Sequence, residues 1–375
     1  MRKKVDSKLE NEDFLTSQII TYIGNKRALL DFIGKAVEVV KDELNKDKLV
    51  TADLFSGSGI VARYLKQYSS EIYVNDLEDY AYTINKCYLT NKDDINEKEL
   101  NKWFEYLKNN LEDNKLKSGF ISELYSPKDD KNIKKGERVF YTTRNANYID
   151  TERQLLEKVP EPYYTLFLAP LLYEASNRTN TSGVFKGFYK NSETNIGQFG
   201  GNGKNALHRI LTDIEVKKPI LSNFNCVSHI YKEDTLKLSE KLPKMDLVYL
   251  DPPYNQHPYG SNYFMLNLIN NYKKPEAVSE VSGIPKKWNK SDFNKKATAL
   301  STMENICKNL NAEYILISFN SEGFISFEDM VKMLSKYGNV KVYDQKYSTF
   351  KASRNLRNRS LYVNEYLFLL KKECV

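Results

Sequence analysis

A short apolar run that ends in an acid and two prolines sets the strongest limit on the fold of this chain. Met245-Asp246-Leu247-Val248-Tyr249-Leu250 is followed directly by Asp251-Pro252-Pro253-Tyr254. The run has the length and composition of a buried strand, and the prolines end it because they cannot donate to a β-ladder. A carboxylate, a rigid diproline and an aromatic ring are therefore predicted at the carboxyl end of a strand. That edge is where open α/β sheets bind their ligands.

These residue types suit methyl transfer to an exocyclic amine. The lone pair of such an amine is delocalised into its ring, so the nitrogen is a poor nucleophile. Asp251 and the Pro252 carbonyl can accept hydrogen bonds from the two amine hydrogens and free the lone pair. Tyr254 offers a flat face to a base, a contact worth roughly 1–3 kcal/mol. A plain turn after a strand can carry the same four residues, so the interpretation depends on the rest of the chain.

A glycine-rich turn follows an earlier apolar run. The run from Leu49 to Phe55 leads into Ser56-Gly57-Ser58-Gly59, and apolar residues then recur at helical spacing from Ile60 to Leu65. Glycines at a strand-to-helix turn let the backbone approach a ligand closely, and the new helix N-terminus favours a carboxylate. A phosphate site fits less well, because position 62 is Ala where a dinucleotide fingerprint has its third Gly, and no Gly-Lys-Ser/Thr follows.

Two further segments add to this pattern. Ile72-Tyr73-Val74-Asn75-Asp76 is a short strand that ends in an acid, about twenty residues after the glycine turn, which is the spacing of a carboxylate that holds a ribose. Near the N-terminus, Tyr22-Ile23-Gly24-Asn25-Lys26 precedes an amphipathic helix. Lys26 can reach a carboxylate there, and Tyr22 can cover an adenine face. Taken singly, the first segment can equally be a strand that ends in a solvent-facing acid, and the second can be an ordinary helix start.

In this order the segments resemble the class-alpha, Dam-type N6-adenine DNA methyltransferases. That family has aromatic-x-Gly-x-Lys, then Asp/Glu-x-Phe-x-Gly-x-Gly, a ribose acid, a target-recognition region and finally Asp-Pro-Pro-Tyr. The resemblance implies S-adenosylmethionine (AdoMet) as the cofactor and a catalytic set of Asp251, Pro252, Pro253 and Tyr254. The implied AdoMet contacts are Tyr22, Gly24, Lys26, Asp53, Phe55, Ser56, Gly57, Gly59, Asp76, Asp234, Thr235 and Asp251. Glu233 is the alternative to Asp234 for the contact with the cofactor adenine.

The segment from Asn177 to Lys204 resembles the DNA-contacting hairpin of the same family. Basic and amide side chains alternate there with Phe and Tyr across flexible glycines, a composition that can contact phosphates and place Arg or Asn against base edges. A polar hairpin without a partner is the alternative. A second basic cluster precedes the last apolar run. The predicted DNA contacts are Arg178, Asn180, Lys186, Tyr189, Lys190, Lys204, Arg354 and Arg357.

Charge and cysteine content agree with this interpretation but do not require it. The 375-residue chain has a formal net charge of +7, which suits a polyanionic partner only modestly. Its four cysteines are scattered, with no Cys-x-x-Cys pair and no His at metal spacing, so we expect reduced thiols and no metal. No apolar run approaches eighteen residues, and the charged N-terminus is not that of a signal peptide. We therefore expect a cytoplasmic protein without a membrane partner.

The element pattern predicts an α/β fold. We expect the Rossmann-like, mainly parallel sheet of AdoMet-dependent methyltransferases, closed by an antiparallel terminal hairpin, with an inserted, mostly helical target-recognition domain. The expected parts are a loose polar arm (1–20), a catalytic domain (21–91 and 216–375) and the recognition domain (92–215). Predicted strands lie at 49–55, 71–76, 223–232, 245–250, 313–319, 340–348 and 361–370, and predicted helices of the insertion at 96–113 and 151–175. The segment 255–300 is long for a plain loop, which suits a cover over the flipped base, and a partly mobile surface loop is the alternative.

Together the segments favour site-specific transfer of the AdoMet methyl group to N6 of an adenine rotated out of duplex DNA. The setting would be restriction–modification, with a cognate endonuclease as a second partner, or orphan epigenetic methylation. An N4-cytosine enzyme can use the same geometry but commonly begins the tetrapeptide with Ser, and an RNA methyltransferase more often begins it with Asn. A catalytically silent DNA-binding regulator is the alternative from another class. The intact Asp-Pro-Pro-Tyr, Asp76 and Gly57-x-Gly59 argue against it.

Overall fold

A seven-stranded mixed sheet forms the centre of the protein in this computed structural model, which describes residues 9–204, 206–348 and 362–373. The strands are β1 Leu49–Asp53, β2 Ser69–Asn75, β3 Val227–Tyr231, β4 Met245–Leu250, β5 Ala312–Asn320, β6 Gly338–Ser348 and β7 Tyr362–Lys372. Each predicted strand is present, with bounds that differ by a few residues. The largest difference is at β3, which begins at Val227 and not at 223.

The strand order is β3-β2-β1-β4-β5-β7-β6. The first five strands are mutually parallel, whereas β7 runs antiparallel to both β5 and β6. The predicted sheet, mainly parallel with an antiparallel terminal hairpin, is therefore confirmed. The strand order reverses at β1 and β4, which makes their carboxyl ends the switch point where a ligand binds. Asp53 is paired with Tyr249 there, so the ends of two segments almost 200 residues apart meet.

Helices cover both faces of the sheet. Along β4, Leu247 and Tyr249 pack on one side and Val248 and Leu250 on the other, as the twofold alternation of a strand requires. The α-helices are α1 Leu30–Leu44, α2 Ile60–Lys66, α3 Asp79–Tyr88, α4 Glu97–Asn110, α5 Phe120–Tyr125, α6 Thr143–Leu156, α7 Tyr163–Asn177, α8 Leu207–Leu211, α9 Thr235–Ser239, α10 Tyr259–Asn262, α11 Phe264–Asn271, α12 Lys296–Asn309 and α13 Phe327–Leu334. None of the helices in the described ranges has the length and apolarity needed to cross a membrane.

The inserted region is mostly helical, as predicted, and contains α4 to α8. The prediction for its second helix is wrong. The single helix expected over 151–175 is two helices, α6 and α7. Pro160 and Pro162 lie between them, and proline cannot supply the backbone N–H that a continuous helix needs. The buried side chains of this region form one cluster with α3 and α11. The division into domains at 92 and 215 therefore stays a prediction.

One expectation about an irregular segment is also wrong. Residues 9–20 are not a loose arm, because Phe14 and Ile20 are buried and the Arg63 guanidinium donates to the carbonyl oxygens of Phe14, Ser17 and Gln18. The segment 255–300 contains α10 and α11 at 259–271, which bury most of their side chains, and its irregular parts are 255–258 and the stretch between Asn271 and α12.

Candidate active site

A cavity of about 1020 Å³, counted to its open mouth, lies at the carboxyl ends of β1, β2 and β4. It brings together residues from all four predicted segments. The predicted residues that line it are Tyr22, Gly24, Lys26, Asp53, Phe55, Ser56, Gly57, Asp76, Asp234, Thr235, Asp251 and Pro253. Gly59, Pro252 and Tyr254 lie outside this lining. Gly59 instead precedes α2 in a left-handed conformation (φ +77°), which glycine adopts without strain.

Asp53 ends β1 and has an unusual environment. Its side chain is buried, and neither carboxylate oxygen has a partner at full hydrogen-bonding geometry among the described residues, although the nearby backbone N–H groups of Phe55 and Ala62 act to lower its pKa. Burial, reinforced by the charge of Asp251, holds the pKa of Asp53 well above its ordinary value. A buried acceptor pair without a donor costs free energy unless a ligand satisfies it. The wall of the cavity at β1 therefore suits a cationic hydrogen-bond donor such as an amino group.

Asp76, after β2, is fixed by one backbone amide of the glycine turn and one of the turn that follows β2. The Gly57 N–H donates to Oδ2 at 2.7 Å, and the Glu78 N–H donates to Oδ1 at 2.9 Å. Burial raises the pKa of Asp76, while these amide bonds act in the opposite direction. Gly57 has φ +50°, and a Cβ built on it would lie 2.7 Å from the Tyr22 ring. The turn thus requires glycine on both conformational and steric grounds, and it orients one carboxylate towards the cavity.

Tyr22 is held in place by other aromatic rings. It stacks on Tyr259 at 4.9 Å between ring centroids and on Tyr263 at 4.7 Å, and it accepts a hydrogen bond from the Tyr80 hydroxyl at 3.3 Å. Tyr259 and Tyr263 belong to the segment for which the sequence predicts a cover over a bound base. Tyr259 itself also lines the cavity, whereas Tyr263 stacks on Tyr22 from outside the lining. That Tyr22 covers an adenine ring stays a prediction.

Asp251 points into the cavity and pairs with a buried lysine. Lys26 Nζ lies 3.1 Å from Asp251 Oδ1 and 2.9 Å from Glu365 Oε1. Burial raises the pKa of Asp251 to about 6, although the Lys26 charge lowers it and the Glu365 charge raises it further. Burial alone would lower the pKa of Lys26, but the two carboxylates outweigh it and raise this pKa well above its ordinary value. Asp251 is therefore ionised at neutral pH.

The sequence interpretation missed Glu365. This residue lies in β7, is 3% exposed, and accepts a hydrogen bond from the Ser318 hydroxyl at 3.0 Å. It pairs with Asn320, at the carboxyl end of β5, which brings it beside Lys26. The available signal was an acid within an otherwise apolar terminal run. Such an acid rarely faces a core without a partner.

Tyr254 lies beside this charged group. It is partly buried, its ring meets Phe319 edge to face at 6.3 Å, and its carbonyl oxygen accepts a hydrogen bond from the Phe324 N–H at 3.1 Å. Burial raises the pKa of its hydroxyl. Pro252 is buried in the same turn. These contacts fix the tetrapeptide backbone after β4.

Asp234 and Glu233, the two candidates for the contact with the cofactor adenine, differ in their hydrogen bonds and ion pairs. Asp234 caps α9 by accepting from the Lys237 N–H at 3.2 Å, whereas Glu233 forms an ion pair with Lys241. Both line the cavity, so the choice between them stays open. Thr235 is buried, and its hydroxyl donates to the Leu54 carbonyl oxygen at 3.0 Å. That hydroxyl holds the β1 turn in place.

Glu78, which the sequence did not single out, and the segment from Asn289 to Asn294, which lies within the predicted cover 255–300, also line the cavity. Burial raises the pKa of Glu78 to about 7, and its carboxylate accepts a hydrogen bond from Asn267 Nδ2 at 2.6 Å. Asn289 Nδ2 donates to the Leu77 carbonyl oxygen at 3.0 Å. The 289–294 segment thus closes the cavity from across the β2 turn. The sequence did not reveal that this segment lies next to the turn after β2, because the two are far apart along the chain.

The segment predicted as a hairpin forms an antiparallel bridge between Lys190 and Gly197, but one of its residues is misassigned. Asn180 is fully buried; its Nδ2 donates to the Val139 and Gln198 carbonyl oxygens at 2.8 Å each, and its Oδ1 accepts from the Gly200 N–H at 2.9 Å. The side chain therefore has no group left for a base edge. The prediction that Asn180 contacts DNA is wrong, because its amide is used to build the hairpin.

The other hairpin residues differ in exposure. Lys186 and Lys204 are exposed, whereas Tyr189 and Lys190 are partly buried. Arg178 lies with its Nε 3.3 Å from Glu174 Oε2, so its charge is compensated. Their contacts with DNA stay predictions, and the predicted contacts Arg354 and Arg357 lie outside the described residues. Within the described ranges, no group of three or more His, Cys, Asp or Glu side chains is arranged to hold a metal ion.

Comparisons with known proteins agree with this geometry. The chain is 32% identical over 367 residues to type II methyltransferase M.CviAII of Paramecium bursaria Chlorella virus 1, covering 94% of this chain and 98% of the relative. It is 29% identical to type II methyltransferase M.NlaIII of Neisseria lactamica, covering 94% and 99%. It is also 29% identical to modification methylase StsI of Streptococcus sanguinis, covering 94% of this chain but 52% of that longer protein. The family profile that matches spans residues 22–333, and the chain accordingly belongs to the D12 class N6 adenine-specific DNA methyltransferases.

Proposed function

We propose that this chain carries out the reaction of its family by direct methyl transfer, in which Asp251 and Pro252 activate the amine of an adenine rotated out of duplex DNA. Family membership gives the reaction, which is transfer of the AdoMet methyl group to N6 of adenine in DNA. The roles of the residues are our proposal. The observation that carries it is the Asp251 carboxylate, which pairs with Lys26 at 3.1 Å and faces the cavity that Asp53 and Asp76 also line.

The residues of the cavity fit AdoMet. Asp53 has two buried carboxylate oxygens without a partner, which suits the ammonium group of the methionine part. Asp76 is oriented by two backbone amides, which suits the two hydroxyls of a ribose. Asp234 and Glu233 both line the cavity, and one of them would accept a hydrogen bond from the adenine amine. When bound, AdoMet supplies an electrophilic methyl group on a sulfonium.

The protein supplies positioning and hydrogen bonds. Asp251 accepts a hydrogen bond from one hydrogen of the target amine and the Pro252 carbonyl oxygen accepts from the other, so the nitrogen lone pair leaves conjugation. Lys26 lowers the pKa of Asp251 and keeps it an acceptor at neutral pH. Tyr254 stacks on the rotated base and offsets part of the unstacking cost, which is a few kcal/mol. The methylated nitrogen is acidic enough to release its extra proton to water, so catalysis depends mostly on positioning.

The family match favours N6 of adenine over the N4-cytosine and RNA alternatives. A restriction–modification setting is supported by relatives named type II methyltransferase and modification methylase. We therefore propose a cognate restriction endonuclease as a functional partner. A silent DNA-binding regulator would retain DNA binding but would not transfer methyl groups, and the experiment below separates it from an enzyme.

Asp251→Ala should abolish methyl transfer while leaving binding of duplex DNA intact. The measurement is incorporation of labelled methyl groups from AdoMet into duplex DNA, followed by digestion to nucleosides and mass spectrometry. Asp31→Ala, at an exposed position in the first turn of α1, is the matched control and should behave as the wild type. Normal turnover by Asp251→Ala would refute the assigned role. Failure of the wild-type protein to bind AdoMet in calorimetry would revive the regulator.

A further inference from the structure

Residues 286–290 form an exposed basic strip next to the active site. Its sequence is Lys-Lys-Trp-Asn-Lys, and Lys286, Lys287, Trp288 and Lys290 are all exposed. Trp288 is 38% exposed, so its ring is accessible to a ligand. Neighbouring lysines are compensated, since Lys274 pairs with Glu123 and Lys295 with Asp292. Within the described residues the three lysines of the strip have no acidic partner.

The segment before the strip is anchored to the inserted region. A short hairpin closes at the bridge between Val278 and Pro285. The Tyr125 hydroxyl donates to the Gly283 carbonyl oxygen at 2.8 Å, and Arg138 donates to the carbonyl oxygens of Ser279 and Glu280 at 3.2 and 3.1 Å. These contacts hold the backbone of the hairpin and therefore hold the lysines that follow it. Cations on a fixed backbone lose less entropy when they bind.

The other end of the strip leads directly into the catalytic machinery. Asn289 is bonded to the Leu77 carbonyl oxygen and lines the cavity, as do residues 291–294. Asn294 Nδ2 donates to the Asn255 carbonyl oxygen at 2.9 Å. Asn255 is the residue directly after the tetrapeptide Asp251–Tyr254. A ligand held by the strip would therefore lie at the rim of the site and would be coupled to the turn that carries Asp251.

We propose that the strip 286–290 is a phosphate-binding site for the DNA duplex that flanks the rotated adenine, with Trp288 packed against the sugar or base beside those phosphates. This inference rests on the proposed function. Uncompensated lysines at the rim of a site that must admit DNA are complementary to a polyanion, and lysine binds phosphate as a point charge. The strip carries no sequence information, because phosphate contacts fix register and do not read bases.

The test is the salt dependence of DNA binding. Each lysine that neutralises a phosphate contributes about −0.9 to the slope of log Kobs against log salt concentration. The triple variant Lys286→Gln/Lys287→Gln/Lys290→Gln should therefore make the slope for a random-sequence duplex shallower by about 2.7, measured by fluorescence anisotropy. Trp288→Ala should weaken binding without changing the slope. Lys332→Gln, in the last turn of α13 at the opposite edge of the sheet, is the control and should leave both quantities unchanged.

A triple variant with the wild-type slope, or one that binds less tightly with an unchanged slope, would overturn the proposal. Circular dichroism and AdoMet affinity that match the wild type would show that the variant is folded. Single-turnover assays separate this inference from the proposed function. The triple variant should raise the DNA concentration needed for half-maximal rate and keep the maximal rate, whereas Asp251→Ala should lose the rate and keep the salt slope.

Discussion

Replacement of Lys26 by Met and replacement of Glu365 by Gln should move the pH dependence of methyl transfer in opposite directions. Both side chains lie within the same buried charged group, and Lys26 Nζ contacts Asp251 at 3.1 Å and Glu365 at 2.9 Å. The positive charge lowers the pKa of Asp251, whereas the negative charge of Glu365 raises it. Asp251 must be ionised to accept from the target amine. Activity is therefore present above the pKa of Asp251 and is lost as the pH falls through it.

The size of the shift follows from the geometry. Asp251 has a pKa of about 6 with Lys26 in place. An opposite charge at this separation lowers a carboxyl pKa by about 1–3 units, so Lys26→Met should raise that of Asp251 by a similar amount. A rise of about two units reduces the ionised fraction at pH 7 from about nine-tenths to about one-tenth. Lys26→Met should then lose roughly ninefold in rate at pH 7 and recover much of it near pH 9.

The assay is kcat/KM for duplex DNA as a function of pH, measured at saturating AdoMet. The acidic limb of the pH profile should move to higher pH in Lys26→Met and to lower pH in Glu365→Gln. In Glu365→Gln, Lys26 stays paired with Asp251. Lys35→Met, at an exposed position in α1, is the matched control and should leave the limb in place. A purely structural role for Lys26 would lower activity at every pH. A shift of both limbs in the same direction would refute the electrostatic argument.

Two further changes test the cavity itself. Asp53→Asn should weaken AdoMet binding and raise the melting temperature of the AdoMet-free protein by a few degrees at pH 8, both measured by calorimetry. The protein gains stability because the raised pKa of Asp53 reflects the cost of burying its charge without a donor. An unchanged AdoMet affinity would contradict the assignment. Tyr254→Ala should lose far more kcat than Tyr254→Phe, because the phenyl ring keeps the stacking face, and equal losses would count against stacking.

The sheet and the acids at its edge could be predicted because both are encoded locally. Asp53, Asp76 and Asp251 each follow a short apolar run, and runs of that kind become parallel strands whose carboxyl ends share one edge. Separate motifs therefore converge without any knowledge of the contacts between them. Glu365 could not be placed in the same way. Its position depends on the register of β7 against β5, which depends on side-chain packing along the whole strand.

The DNA-binding surface was harder to predict, because polar residues in a hairpin serve two purposes that composition does not separate. Asn180 has the residue type of a base reader, yet its fully buried amide forms three hydrogen bonds, two within the hairpin and one to the Val139 carbonyl oxygen, and so cannot reach a ligand. The lysines 286, 287 and 290 show the reverse case. They lie in a segment without a motif, but they are exposed and uncompensated at the rim of the site. To find where a polyanionic substrate binds, it is therefore more informative to know whether each charged side chain is exposed and unpaired in the folded protein than to know its residue type.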